Sequence, residues 1–486
     1  MIIRALTVAT LSLAFLGEVS AQEWTRFRGP NGTGVVDLEG LPSEIGPEHD
    51  PVWRVEVPPG YSSPIVTKQG IVITANEGLD LLTICLDPNT GERLWTAKCP
   101  EPLEKAPRGP NSPVAPSPAS DGENVYVFFD HFGLLSFDAK GELRWQMKLG
   151  PFNNPYGMGA SPVVVGSRVI LLCDQDTNSY LLAVDKDSGK ELWKTDRPGA
   201  THGFASPVVY QPKEGPAQIL VSGSYAVTAY AADTGERVWW VDGLAWQAKC
   251  LPIVHDDVVY VSSWMAGVNE LGVKANLDMS FEDLIENHDK DGDGAISKAE
   301  APDPAMPQLW FLYDLGKDGT LDAEDWRYVV ARIQAKNGLY AIRLGGKGNV
   351  KDSHVLWSYD RSLPNIPSPL FYDGLLYVLK EGGILASLDP KTGDEVKKGR
   401  VEATDSFFAS PVAGDGKIYF VSQSGMASVV EAGQDWKVLS TSQFENDKEE
   451  GEEIWSTPAL AHGRIYVRTQ KAIYAFGQPA DKGGPR

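Results

Sequence analysis

AVDKDSGKELW, Ala183–Trp193, is the stretch whose reading decides the fold. A short apolar run leads into Asp185, a turn carrying Gly189 reverses the chain, and a second strand presents Trp193. Glycine takes the positive φ of such a turn without steric cost. A tryptophan on an outer strand offers roughly 150–250 Å² of flat apolar surface to whatever lies beside it. The stretch returns as CLDPNTGERLW (Cys85–Trp95), AYAADTGERVW (Ala229–Trp239) and, one residue shorter, SFDAKGELRW (Ser136–Trp145). SLDPKTGDEVK (Ser387–Lys397) carries Lys397 where the ring is expected. AIRLGGKGNVKDSHVLW (Ala341–Trp357) and SVVEAGQDW (Ser428–Trp436) read as worn copies.

Proline markers open a strand between the copies: Ser63-Pro64, Ser117-Pro118, Ser161-Pro162, Ser206-Pro207, Leu251-Pro252, Ser368-Pro369, Ser410-Pro411 and Thr457-Pro458. Proline suits the first residue of a strand, where its missing N–H costs little. From proline to proline the spacings are 54, 44, 45, 45, 117, 42 and 47 residues. Each marker leads into an apolar run, a turn and a second β-rich run, as in PVVVGSRVILL (Pro162–Leu172) and PVAGDGKIYFV (Pro411–Val421). With the two strands around the repeated stretch, each unit has four strands. Eight units predict an all-β fold, an eight-bladed β-propeller of four-stranded blades. The last unit ends at Ile473–Gly477 without a tryptophan strand, and Trp53 lies in a strand that precedes the first marker. Val52–Val57 is therefore expected to supply the outer strand of the last blade and close the ring.

The long spacing leaves extra residues, 266–335, after the second strand of blade five (Val258–Ser263) and before its third (Asn337–Leu344). Within them DKDGDGAISKAE, Asp289–Glu300, matches D-x-[DN]-x-[DN]-G-x5-E at every fixed position. Asp289, Asp291 and Asp293 stand at loop positions 1, 3 and 5, Ala295 offers its carbonyl at 7, Ser297 sits at 9 and Glu300 at 12. That spacing wraps oxygens around one point, as hard Ca²⁺ requires. Ser280 is placed to cap a helix with Phe281, Leu284 and Ile285 on one face. A weaker partner loop, Asp314–Asp325, keeps Asp314, Asp318, Thr320, Asp322 and Asp325, but has Gly316 at position 3 and Asp325 rather than Glu at 12. A helix with Trp326, Val329, Val330 and Ile333 on one face follows it. The expectation is a small α-helical EF-hand insertion in blade five, with one complete and one degraded loop. From Asp278 to Asp325 there are 14 acidic and 3 basic residues, a repulsion that a cation would relieve.

The whole chain is acidic: 65 Asp and Glu against 44 Lys and Arg leave a net charge of −21. That excludes nucleic acid as the expected partner, because phosphate binding needs clustered cations. Arg4, the apolar run Ala5–Leu16 and Val19-Ser20-Ala21 read as a cleavable signal peptide over 1–21. No other run approaches the roughly 18 apolar residues of a membrane span. The cleavage point has no lipid-acceptor Cys, so the expected location is periplasmic or secreted. Further boundaries are an N-terminal arm at 22–50, the propeller at 51–480 and a tail at 481–486. Cys85, Cys99, Cys173 and Cys250 are too sparse for a disulfide framework. They are read as core thiols, with a single Cys85–Cys99 bridge as the alternative.

The repeated stretch resembles the PQQ-type propeller repeat, with docking motif AxDxxxGxxxW, over roughly Val52–Gly477. The chain is similar to secreted PQQ-like, BamB-type propeller proteins, many of which also begin with an arm like FRGPNGTG (Phe27–Gly34). The resemblance implies either a scaffold without cofactor, as in BamB, or a quinoprotein dehydrogenase holding PQQ and Ca²⁺ on the axis. The adjacent cysteines of the quinoprotein alcohol dehydrogenases are missing here, as is the lipid-acceptor Cys of BamB.

Loops that end just before each proline marker gather around the channel mouth. They carry Tyr61, Tyr156, His202, Phe204, Trp246, Asn365, Phe407, Phe408 and Trp455. An aromatic, polar-rimmed mouth is a natural ligand pocket, for a protein, a small molecule or a glycan. The calcium insert is expected to stand beside it. The leading expectation is a calcium-binding scaffold module. The alternatives are a PQQ- and Ca²⁺-dependent dehydrogenase and a carbohydrate-binding propeller.

Overall fold

A computed structural model describes residues 23–105, 111–201, 203–265, 279–444 and 452–479. The sheets follow one another around an axis as eight blades. Blade three shows the pattern: Val163–Val165, Arg168–Cys173, Tyr180–Asp185 and Glu191–Asp196 pair in antiparallel order from the axis outward. Its middle strands are buried on both faces, because a neighbouring blade covers each side. The outer strand alternates exposed and half-buried positions. Ring closure follows the sequence expectation: Trp53–Glu56 pairs antiparallel with Ala472–Gly477 as the outer strand of blade eight.

The repeated stretch is a lock between blades. The Trp145 ring lies over Gly189 of the next blade, and a Cβ there would come within 2.5 Å of it. The Trp145 indole N–H donates to the Lys186 carbonyl at 2.9 Å. Trp53, Trp95, Trp193 and Trp357 repeat both contacts on Gly91, Gly141, Gly235 and Gly393. Gly189 has φ of +68°, so a side chain there would be strained as well as crowded.

Three junctions use other chemistry. Gly348–Asn349 lies parallel on the outer strand of blade four, opposite Trp239 and Trp240. Lys397 donates from Nζ to the Trp436 carbonyl at 2.7 Å, and the Trp436 ring packs back onto Gly399. Trp436 is therefore not the worn docking residue that the sequence suggested. Register places Ser440 opposite Val429, where Trp193 stands opposite Ala183, so Ser440 holds the docking position. The Ser440 hydroxyl donates to the Ser43 carbonyl, and the arm, with buried Leu41 and Ile45, covers that junction.

Around the axis the markers form a ladder. The Ser63 N–H donates to the Ser117 hydroxyl, Ser117 to Ser161 and Ser161 to Ser206, at 2.8–2.9 Å. Leu251 donates to Ser368, Ser368 to Ser410, Ser410 to Thr457, and Thr457 back to Ser63, at 2.9–3.0 Å. Leu251 has no hydroxyl, so the ladder lapses once, between blades four and five.

Below the ladder the arm plugs the channel. Trp24 bridges Val66 of blade one, Ser120 donates to the Thr25 carbonyl, and Asn31 exchanges two bonds with Val209. Arg28 donates to the carbonyls of Pro369 and Pro411, and Arg26 to that of Pro207. Gly34 and Val36 then pair with Ala413.

All four cysteines are buried free thiols, so the bridge alternative is not formed. Among the described residues no helix is long and apolar enough to cross a membrane. The signal-peptide and tail expectations lie outside the described residues.

The segment between Val258–Ser263 and Gly338–Arg343 holds helix α1 (Phe281–His288), a 3-10 segment (Met306–Leu312) and helix α2 (Ala323–Gln334). Its core of Leu284, Ile296, Met306, Trp310, Leu321 and Trp326 continues into Ala245 and Trp246 of the propeller. Arg332 sits 3.9 Å over the Trp246 ring, whose N–H donates to the Thr201 hydroxyl.

Trp145→Ala is expected to lower unfolding free energy by about 3 kcal/mol or more, read by urea denaturation. A loss below about 1 kcal/mol would show that the ring-on-glycine lock is dispensable. Trp246→Ala is expected to leave the blades folded and open the insert to limited proteolysis, with new cleavage sites mapping between residues 279 and 335.

Candidate functional site

Two features carry chemistry, the acidic loop of the insert and a cavity on the axis. Ser280 caps α1 through a capping box with Asp283, its hydroxyl accepting from the Asp283 N–H at 3.1 Å. The helix ends at Asp289, and the loop turns through Gly292 and Gly294, both with φ near +80°. Carboxylate oxygens of Asp289, Asp291 and Asp293 lie within 4.8 Å of one another. Asp289 accepts the N–H groups of Gly292 and Gly294 at 2.7 and 2.9 Å, which fixes its orientation. Ile296–Ser297 pairs antiparallel with Thr320–Leu321, joining the two loops. Buried Glu300 accepts from the Lys290 N–H at 2.9 Å, the Ser297 N–H at 3.0 Å and the Ser297 hydroxyl at 2.6 Å. These donors, the hydroxyl first, hold its carboxyl down to about 2. Among the described residues no Lys or Arg pairs with the three aspartates. An all-oxygen, uncompensated donor set of this kind suits a hard cation.

The second loop is organised differently. Asp314 accepts from the Asp318 and Gly319 N–H groups, and Asp318 from Thr320. Asp322 is occupied as the N-cap of α2, accepting from Glu324 and Asp325. Asp325 is buried and accepts from the Leu315 N–H at 3.1 Å. Burial, with Asp322 and Asp314 nearby, pushes it up to about 7. Lys317 reaches Asn153, and its Nζ lies 3.7 Å from the buried Asp176. Asn153 also donates to the Leu315 carbonyl at 3.4 Å. This loop therefore grips the mouth loop between blades two and three, the loop that carries Tyr156.

The axial cavity, about 340 Å³, lies above the arm. Its lower wall is the hydroxyl ladder, with Phe27 of the arm at the floor. Tyr61, Tyr156, Phe204, Phe408 and Trp455 line it, as the sequence suggested. Tyr61 and Trp455 stack with centroids 4.4 Å apart, and Phe408 leans on Trp455 at 4.0 Å. The other mouth residues fall elsewhere. Phe407 is buried in the core between blades six and seven, and Trp246 packs under the insert. Asn365 accepts from Lys249 Nζ at 2.7 Å, and His202 lies outside the described residues. Lys249, Gln247 and Asn111 also line the cavity; nothing in their sequence neighbourhoods marks them. The marker hydroxyls could have been found, since Ser or Thr precedes all but one of the marker prolines.

PQQ held with Ca²⁺ on the axis would need acidic groups beside the quinone. Among the described residues lining the cavity there is no carboxylate and one cation, Lys249. This donor set does not fit the group.

The profile of the family described as "Outer membrane protein assembly factor BamB" matches residues 47–268 and 319–479. The match breaks across the segment that holds the acidic loop. The outer membrane protein assembly factor BamB of Yersinia pestis is 22% identical over 413 residues, covering 80% of this chain and 91% of that one. Among solved structures, BamB from Moraxella catarrhalis superposes with a TM-score of 0.55 at 11% identity, covering 90% of this chain and 99% of that one. A europium-containing methanol dehydrogenase superposes with a TM-score of 0.59 at 11% identity, covering 94% and 98%. At such identities the structural likeness speaks for the fold. With the profile spanning most of both halves of the ring, the chain belongs to the BamB-type family of PQQ-like β-propellers.

Proposed function

We propose that this chain is an exported, calcium-binding propeller acting as a binding or scaffold module. The insert's first loop takes Ca²⁺, and the axial cavity receives a ligand. The observation that carries this reading is the convergence of the Asp289, Asp291 and Asp293 oxygens, with Glu300 bonded back across the same loop. The second loop is a fastening to the propeller rather than an equal ion site, because its position 3 is Gly316 and Asp322 caps a helix. Pairing of Ile296 with Leu321 links the ion site to Leu315 and Lys317, and through Asn153 to the mouth. Millimolar Ca²⁺ outside the cytoplasm would fill even a weak loop of this kind. The family model and the Yersinia pestis relative, both named as outer membrane protein assembly factor, support a scaffold role.

The second reading, a PQQ- and Ca²⁺-dependent dehydrogenase, is favoured by the fold shared with a methanol dehydrogenase. The lack of carboxylates in the described cavity lining weighs against it. Carbohydrate binding rests on the aromatic walls alone, and a glycan array tests it.

Glu300→Gln is expected to weaken Ca²⁺ binding by about tenfold or more in calorimetry, by removing half of a bidentate ligand. Asp325→Asn should leave the stoichiometry at one ion. Unchanged affinity in the Glu300 variant would remove the calcium assignment. Adding PQQ and Ca²⁺ to the purified protein should give neither a bound chromophore nor dye-linked alcohol oxidation. A chromophore with turnover would put the dehydrogenase first.

A further inference from the structure

The geometry points to a ligand class for the axial cavity: a small, flat organic monoanion, its carboxylate at Lys249 and its planar apolar body between two aromatic walls. This rests on the reading of the cavity as a ligand site. The walls follow from blade order. Trp455 belongs to the loop entering blade eight and Phe204 to the loop entering blade four, half a ring apart. Tyr61 lies parallel to Trp455, within 3°, and broadens that wall. Tyr156 meets Phe204 edge-on, with centroids 6.3 Å apart, and broadens the other. A flat body suits the space they line, since aromatic faces and edges both gain from such a neighbour.

The charge comes from three places. Lys249 is the one charged side chain among the described lining residues. Its Nζ donates to Asn365; burial lowers its pKa while the charges of nearby Cys250 and Glu381 raise it, and among the described residues no carboxylate lies within salt-bridge distance, so the ammonium keeps donors for a ligand. Beneath the hydroxyl ladder, Arg26 and Arg28 are buried and, among the described residues, bonded only to carbonyls. Those of Pro207, Pro369 and Pro411 follow Ser206, Ser368 and Ser410 by one residue, just before the inner strands Val208–Tyr210, Leu370–Tyr372 and Val412–Gly414. Among the described residues, Nε of Arg26 and Nε and Nη1 of Arg28 find no hydrogen-bond partner. Burial lowers these guanidiniums to about 10 and about 9, so both stay charged at neutral pH. Uncompensated cations in a low-dielectric interior attract an anion far more strongly than they would in water. Three cations thus gather about the axis of a molecule of net charge −21. One accessible ammonium on the wall suits one carboxylate; a second would be left against apolar rings, unpaired and costly.

Calorimetry with 2-naphthoate and its neutral isostere 2-naphthamide tests this on the full mature chain. The wild type is expected to bind the acid about tenfold or more tighter than the amide. Lys249→Gln, with an unchanged circular dichroism spectrum, should bring the two within about twofold, and Trp455→Ala should weaken both. Equal affinities in the wild type, or a preference that survives Lys249→Gln, would overturn the anion assignment while leaving the cavity a ligand site. If neither probe binds, both readings fall.

Discussion

A four-stranded sheet with apolar residues on both faces cannot be stable alone, and the structure follows from that. Each blade must be covered twice, and arranging eight of them around an axis covers all of them without leaving an end. What sets the spacing is the indole ring over the turn glycine. The ring fills the wedge between neighbours, and its N–H finds a carbonyl that would otherwise face the gap. Where the tryptophan is absent or redirected, the junction is rebuilt from whatever is near: an added strand beside Trp239, a ring turned backwards onto Gly399, or the arm laid across Ser440. The demand for burial is constant and the means are interchangeable.

At the centre the demand is reversed. Eight inner strands enclose a space too wide for their own side chains to fill, and the N–H groups of the markers just before them face the axis without sheet partners. Small hydroxyls satisfy those groups in a ring. The arm then fills the lower channel, bringing arginines whose reach matches the ring of carbonyls. The upper channel is left as a cavity with a hydroxylated wall and Phe27 at its floor. The cavity is thus a remainder of the architecture, shaped by what closing the ring leaves unfilled.

The blade count, the closing strand and the acidic loop were all legible, because each is a local pattern: proline markers at near-constant spacing, an orphan Trp53 strand, and oxygens at fixed loop offsets. The plug was not. RFRGPNGTG, Arg26–Gly34, looks like an irregular turn-rich stretch because its bonds run to Pro207, Val209, Pro369 and Pro411, hundreds of residues away. Trp436 misled for a related reason: sequence spacing counts residues, whereas the bulge at Val429/Val430 and the register decide which one faces the neighbour. Phe407 and Phe408 show the finest limit. Adjacent in the chain, they point to opposite sides, one into the core and one into the cavity, and no single-sequence signal tells them apart.

The closing strand at Trp53–Glu56 has a consequence for how the molecule is made. Its partner, Ala472–Gly477, lies more than 400 residues later, and the arm before it touches blades one, two, four, six and seven. The amino-terminal residues leave the ribosome first and find their places last. Such distant contacts place the molecule among slow folders, since chain entropy must be given up before the contacts that reward it can form. Until the final blade arrives, the first has an uncovered glycine face and an open edge, a surface prone to pairing with another chain. Compartment and timing therefore belong to the same problem as stability, because the ring exists only once the whole chain is present.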